Sequence, residues 1–184
     1  MSRHHFLLAA AVALVPLPAF AGVTVFGASQ ARVCFEAAEN RGPARTEDLA
    51  ACDGALMNAA TLPEEIVATH VNRGILRLRR GNVDAAMADF DRAMVLDPDE
   101  PETYLNRGSA LIRREDAANA IAMFDQAIQR NTRRPELAYY GRALAYELSG
   151  NVRAAYRDYR RASELAPRWN EPRIELRRFR VTRN

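Results

Sequence analysis

The sequence predicts an all-α fold, built as an array of antiparallel helical hairpins, and three observations predict it. Apolar residues make up 48% of the 184 residues and charged residues 27%, a balance that suits a folded chain and not a disordered one. The nine glycines and nine prolines fall mostly between stretches of helical apolar periodicity, so they read as turns between helices. The chain also resembles itself at a fixed period of 34 residues.

The first segment reads as an address. Arg3, His4 and His5 form a polar start, Phe6 to Val15 is an apolar run of ten residues, and Ala19-Phe20-Ala21 is a small-x-small site. Residues 1–21 are therefore expected to be a signal peptide cleaved before Gly22, with the periplasm as destination. A spanning helix needs about 20 apolar residues, and Pro16 and Pro18 follow the run, so stable membrane insertion is not expected after cleavage. Residues 22–29 read as a flexible segment.

Residues 30–62 read as a helical hairpin turning at Asn40-Arg41-Gly42-Pro43, with Thr46 capping its second helix. Cys34 and Cys52 lie 18 residues apart and fall at matching heights on the two helices. In an oxidising compartment such a pair is expected to be a disulfide, stabilising the hairpin by roughly 3 kcal/mol on the loop-entropy model. A redox or metal role is disfavoured, because the chain has neither Cys-x-x-Cys spacing nor a histidine cluster near the pair.

Residues 67–100, 101–134 and 136–169 align as three copies. Numbered within each copy, the fourth position is His70, Tyr104 and Tyr139; the eighth is Gly74, Gly108 and Ala143; the twentieth is Ala86, Ala120 and Ala155. The twenty-fourth is Phe90, Phe124 and Tyr159, the twenty-seventh Ala93, Ala127 and Ala162, and the thirty-second Pro98, Thr132 and Pro167. Small residues at the eighth and twentieth positions let two backbones approach, and the ring fills the remaining gap. Gly81 and Gly150 suit a left-handed helix end. Asn82, Asp116 and Asn151 follow as N-caps.

These columns resemble the tetratricopeptide repeat over residues 67–169. Arg77, at an eleventh position that is usually apolar, and Thr132, in place of proline, depart from the pattern. Setting Ala55 at the twenty-seventh position makes the cysteine hairpin a degenerate repeat or cap, with Cys52 in the aromatic's place. Residues 170–184 read as a basic capping helix that starts at Asn170-Glu171-Pro172.

The resemblance implies a right-handed superhelix whose concave groove binds protein or peptide partners. The first-helix positions implied to line it are Ala68, Val71, Ile75, Leu78 and Arg79, then Glu102, Leu105, Ser109, Ile112 and Arg113, then Leu137, Tyr140, Leu144, Glu147 and Leu148. That groove reads as mostly apolar and lacks the basic clamp that some members use on carboxylates, so it suits a partner with apolar anchors. A self-associating scaffold with a homodimer face, or a non-catalytic accessory subunit of a cell-envelope assembly, are the alternatives.

The net charge is +3, all 26 basic residues are arginines, and six of them follow Pro167. A nucleic-acid binder would carry a broader basic face with interleaved aromatics, so no nucleic-acid partner is expected. His70 is the one histidine after the signal segment, and phosphate loops and metal-ligand spacings are missing. Neither cofactor, metal nor enzyme activity is expected.

Overall fold

The computed structural model describes residues 29–40, 42–58 and 61–179. Residues 1–21, expected to be a signal segment, residues 22–28 of the next segment and residues 180–184 lie outside the described residues. Within them every regular element is a helix. Helices α1 (Gln30–Glu39) and α2 (Thr46–Met57) form the cysteine hairpin. The three copies are α3 (Pro63–Arg79) with α4 (Val83–Leu96), α5 (Pro101–Arg113) with α6 (Ala117–Gln129), and α7 (Pro135–Leu148) with α8 (Val152–Leu165). Helix α9 (Glu171–Leu176) lies against α8. Each helix packs on its hairpin mate and on the next helix in the chain, as in an α-solenoid.

Local chemistry sets these boundaries. Pro63, Pro101, Pro135 and Pro172 stand in the first turns of α3, α5, α7 and α9, where a missing N–H has no cost. The Asp116 and Asn151 side chains accept from the N–H groups of Asn119 and Ala154. Asn82 and Asn170 precede their helices without such a bond. Thr46 is not a cap but the first residue of α2. The Asp48 carboxylate instead accepts the Arg45 backbone N–H at 2.8 Å and its guanidinium at 2.9 Å. Those Arg45 bonds hold the Asp48 carboxyl below the usual range. Gly81 and Gly150 end α3 and α7 at φ 80° and 77°; the second copy forces Glu115 to φ 58° at the same point.

The ring column forms the centre of the core. Phe90, Phe124 and Tyr159 are fully buried, together with the alanines of the twentieth and twenty-seventh positions. A Cβ on Gly74 would fall 2.4 Å from the Phe90 ring, and one on Gly108 2.9 Å from Phe124. In the first hairpin the Cys34–Cys52 disulfide, with Cα atoms 4.9 Å apart, packs with Ala38 against Leu76 of α3. It takes the seat that a ring takes in the full repeats.

A ladder of arginines joins the hairpins. Arg73, Arg107 and Arg142 share the seventh position. Arg142 donates to Asp158 of its own copy at 2.7 Å and to Asp125 of the preceding copy at 2.5 Å. Arg73 does the same with Asp89 at 2.7 Å and Asp53 of α2 at 2.6 Å. Asp53 stands where the degenerate alignment puts the twenty-fifth position, so the cysteine hairpin is docked in repeat register. Arg107 reaches only Asp91, at 2.8 Å, because Met123 replaces the second aspartate. The two departures from the pattern also find partners. Arg77 donates to the buried Asp89 at 2.8 Å. The Thr132 hydroxyl donates to Glu102 at 2.8 Å.

Candidate peptide-binding groove

The first helices of the successive hairpins present one side to an open groove of about 1410 Å³. Its floor is apolar: Val67, Ala68, Val71 and Ile75 from α3, Leu105 from α5 and Leu137 from α7. These residues share that side because they recur at helical spacing on helices aligned by the repeat. Phe35 and Ala38 of α1 wall one end, and Trp169, in the segment between α8 and α9, walls the other.

Around the floor runs a charged rim that the first-helix positions alone do not show. Glu39, Glu64, Asp97, Glu100, Glu102 and Glu136 line it, as do Arg79, Arg133, Arg134 and Arg168. Most of the arginines are already engaged. Arg79 donates to the carbonyls of Ala37 at 3.2 Å and Asn40 at 2.5 Å, and also to that of Ala38. It thereby closes the C-terminal end of α1, where a cation is favoured. Burial pushes its pKa down. Arg133 pairs with Glu100 at 3.1 Å and Glu102 at 3.5 Å, and Arg134 with Glu136 at 3.0 Å.

The structure brings some of the expected lining residues together and not others. Ala68, Val71, Ile75, Arg79, Glu102, Leu105 and Leu137 line the groove. Leu78 does not; it turns into the core shared by the repeats, and Ile112 packs against the same core. The Ser109 hydroxyl donates to the Leu105 carbonyl within its own helix. Arg113 and Leu148 are exposed outside the groove. Three of the third copy's residues, Tyr140, Leu144 and Glu147, are covered by the chain's own C-terminal part. Tyr140 lies between Trp169 and Tyr159, with ring centroids at 4.7 and 5.4 Å. Leu144 packs in a cluster with Leu176 and Phe179. Glu147 accepts from the Tyr159 hydroxyl at 2.5 Å and from Arg178 at 3.0 Å. Burial, reinforced by Glu147, pushes the Tyr159 phenol far up. The open groove is therefore shifted toward the N-terminal side of the array. Asn72 and Asn106, both at the sixth position, are lining residues that the implied positions omit; their recurrence in the first two copies was the available signal.

Residues 101–133 and 137–168 match the family model of the tetratricopeptide repeat. Among solved structures the chain is similar to the first TPR domain of the human RPAP3 protein, at 29% identity, covering 64% of this chain and 91% of that one, with a TM-score of 0.59. It is also similar to the first TPR of Spaghetti (RPAP3) bound to the HSP90 peptide SRMEEVD, at 29% identity, covering 61% and 90%, with a TM-score of 0.57. MamA, at 23% identity over 70% of this chain and 72% of that one, shares the fold with a TM-score of 0.59. No curated protein matches the sequence. The α5–α6 and α7–α8 hairpins are matched by the family model, the α3–α4 hairpin repeats their columns and their packing, and the array is built of tetratricopeptide repeats.

Proposed function

We propose that this chain is a periplasmic scaffold that binds a protein or peptide partner in its groove and has no chemistry of its own. The coarse role, a scaffold for protein–protein contact, follows from the repeats themselves. The observation that carries the finer reading is the open groove of about 1410 Å³, whose apolar floor crosses three successive repeats. The RPAP3 domain, which holds a peptide in one of the similar structures, supports a peptide as occupant. The signal-like segment 1–21 and the Cys34–Cys52 disulfide support export. His70 sits 3.1 Å from Asp89, a carboxylate already held by Arg73 and Arg77, which supports a structural and not a catalytic role for it.

A photo-crosslinking residue at exposed Ala68, in the groove, is compared in living cells with one at exposed Arg157 on α8. A partner captured from Ala68 and not from Arg157 is expected; equal capture from both removes the groove as the binding face. Capture of a second copy of this chain would favour the self-associating scaffold. Release of the protein by osmotic shock, with Gly22 at its N-terminus, is expected, and retention inside spheroplasts would remove the periplasmic assignment.

A further inference from the structure

The rim of the groove is not electrically balanced. Arg79 is taken up by the α1 carbonyls, and Arg133 and Arg134 by carboxylates of the rim itself. Glu39 and Glu64 are exposed and have no ion-pair partner among the described residues. Glu39 feels the charge of Arg79 without bonding to it. Asp97 accepts only the N–H of Asp99, at 2.9 Å. These three carboxylates stand around the half of the groove built by α1, α3 and the α4–α5 junction. Two lining cations have no carboxylate partner among the described residues: Arg79, held by the α1 carbonyls, and Arg168, at the opposite end beside Trp169.

We propose that the groove selects a cationic amphipathic peptide, with apolar side chains on the Val71–Leu105–Leu137 floor and basic side chains directed to Glu39, Glu64 and Asp97. This rests on the reading of the groove as the binding face and adds the charge of the partner. An acidic peptide would meet uncompensated carboxylates where it needs donors, and like charges across an interface are a means of rejection. The sign of the groove thus sets this chain apart from a domain that holds a peptide such as SRMEEVD.

The test uses the full mature chain and three labelled heptapeptides, LKVLKVL, LQVLQVL and LEVLEVL, with SRMEEVD as a fourth probe, in fluorescence anisotropy. Two exposed to half-exposed pairs predict that LKVLKVL binds about tenfold tighter than LQVLQVL at low salt, with LEVLEVL and SRMEEVD weaker still. Added salt is expected to narrow the gap. The double variant Glu39→Lys/Glu64→Lys, changed only at exposed positions, is expected to lose the preference or invert it. Equal affinities for the charged probes, tighter binding of an acidic one, or no binding of LKVLKVL at millimolar concentration would overturn the proposal. Ala68→Arg separates the two levels of the argument. If it leaves LKVLKVL binding intact, the cationic peptide sits elsewhere and the groove itself is the wrong face. If it abolishes binding of an acidic or neutral probe that binds best, the groove stands and its charge preference falls.

Discussion

Arg73 holds Asp89 by a fork: Nε lies 3.1 Å from Oδ2 and Nη2 lies 2.7 Å from Oδ1. Arg77 adds a bond to Oδ2 at 2.8 Å, and His70 Nδ1 stands 3.1 Å from Oδ1. Burial opposes the charge on this carboxylate, but the hydrogen bonds from His70 and Arg73 outweigh it and hold its pKa below the ordinary value. A carboxyl whose pKa is lower folded than unfolded contributes stability above its unfolded value, about 4, and that contribution is lost as pH falls through the folded value. Asp89→Asn is expected to cost about 3 kcal/mol at neutral pH, because Arg77 loses its carboxylate partner and Arg73 keeps only Asp53. It should also flatten the loss of stability below about pH 4. Urea midpoints of both proteins across that range check this; an unchanged acid limb in the variant would refute it.

Replacing Cys34 and Cys52 by serine, or reducing them, is expected to lower stability by roughly 3 kcal/mol, since the bridge closes an 18-residue separation. The loss should be local. Hydrogen exchange is expected to rise in α1 and α2 while α5 to α8 stay protected. Because Phe35, Ala38 and Glu39 are a wall of the groove, peptide affinity should fall in parallel. Uniform exchange along the whole array would contradict a local cap.

Gly141→Ala is expected to destabilise by about 1–3 kcal/mol despite alanine's better helix propensity. A Cβ there would stand 2.4 Å from the Phe124 ring, which Gly108 confines from the other side. The ring is fully buried. Thermal unfolding of the variant decides this, and an unchanged or higher Tm would show that the ring can shift.

Glu115→Gly should stabilise by about 1 kcal/mol, because Glu115 holds φ 58° where the first and third copies place glycine. A rise in Tm of about 3 °C is the expected reading. A fall would mean that the side chain is worth more than its backbone strain.

The hairpins could be read from the sequence because their determinants repeat in register. Phe90, Phe124 and Tyr159 occupy one column, and the small residues facing them occupy two more. In the cysteine hairpin, Asp53 stands two residues before Ala55 and pairs with Arg73. The arginine ladder was harder to see. The rungs at Arg73 and Arg142 join the seventh position to two different columns, one in the preceding hairpin, so no single column reveals the ladder. The groove was legible where the floor follows helical spacing, as at Val71 and Leu105, and not where tertiary packing intervenes. Leu78 is drawn inward by the shared core, and Tyr140 is covered by Trp169, which lies beyond the last helix of the repeats. The acidic rim comes partly from α1, which belongs to the hairpin with the weakest repeat signature. The engagement of Arg79 with α1 carbonyls depends on how that hairpin docks.

The ladder also carries a rule for how such an array can grow. In α2, α4 and α6 the twenty-fifth position is Asp53, Asp91 and Asp125, each ready to receive the arginine of the hairpin that follows. In α8 it is Arg160, which turns to Glu164 of its own helix at 3.4 Å. A gene duplication that inserts another copy between the first and second repeats preserves every rung. The same copy spliced after α8 would set arginine against arginine. One reversed charge therefore favours lengthening from within and opposes it at the last repeat.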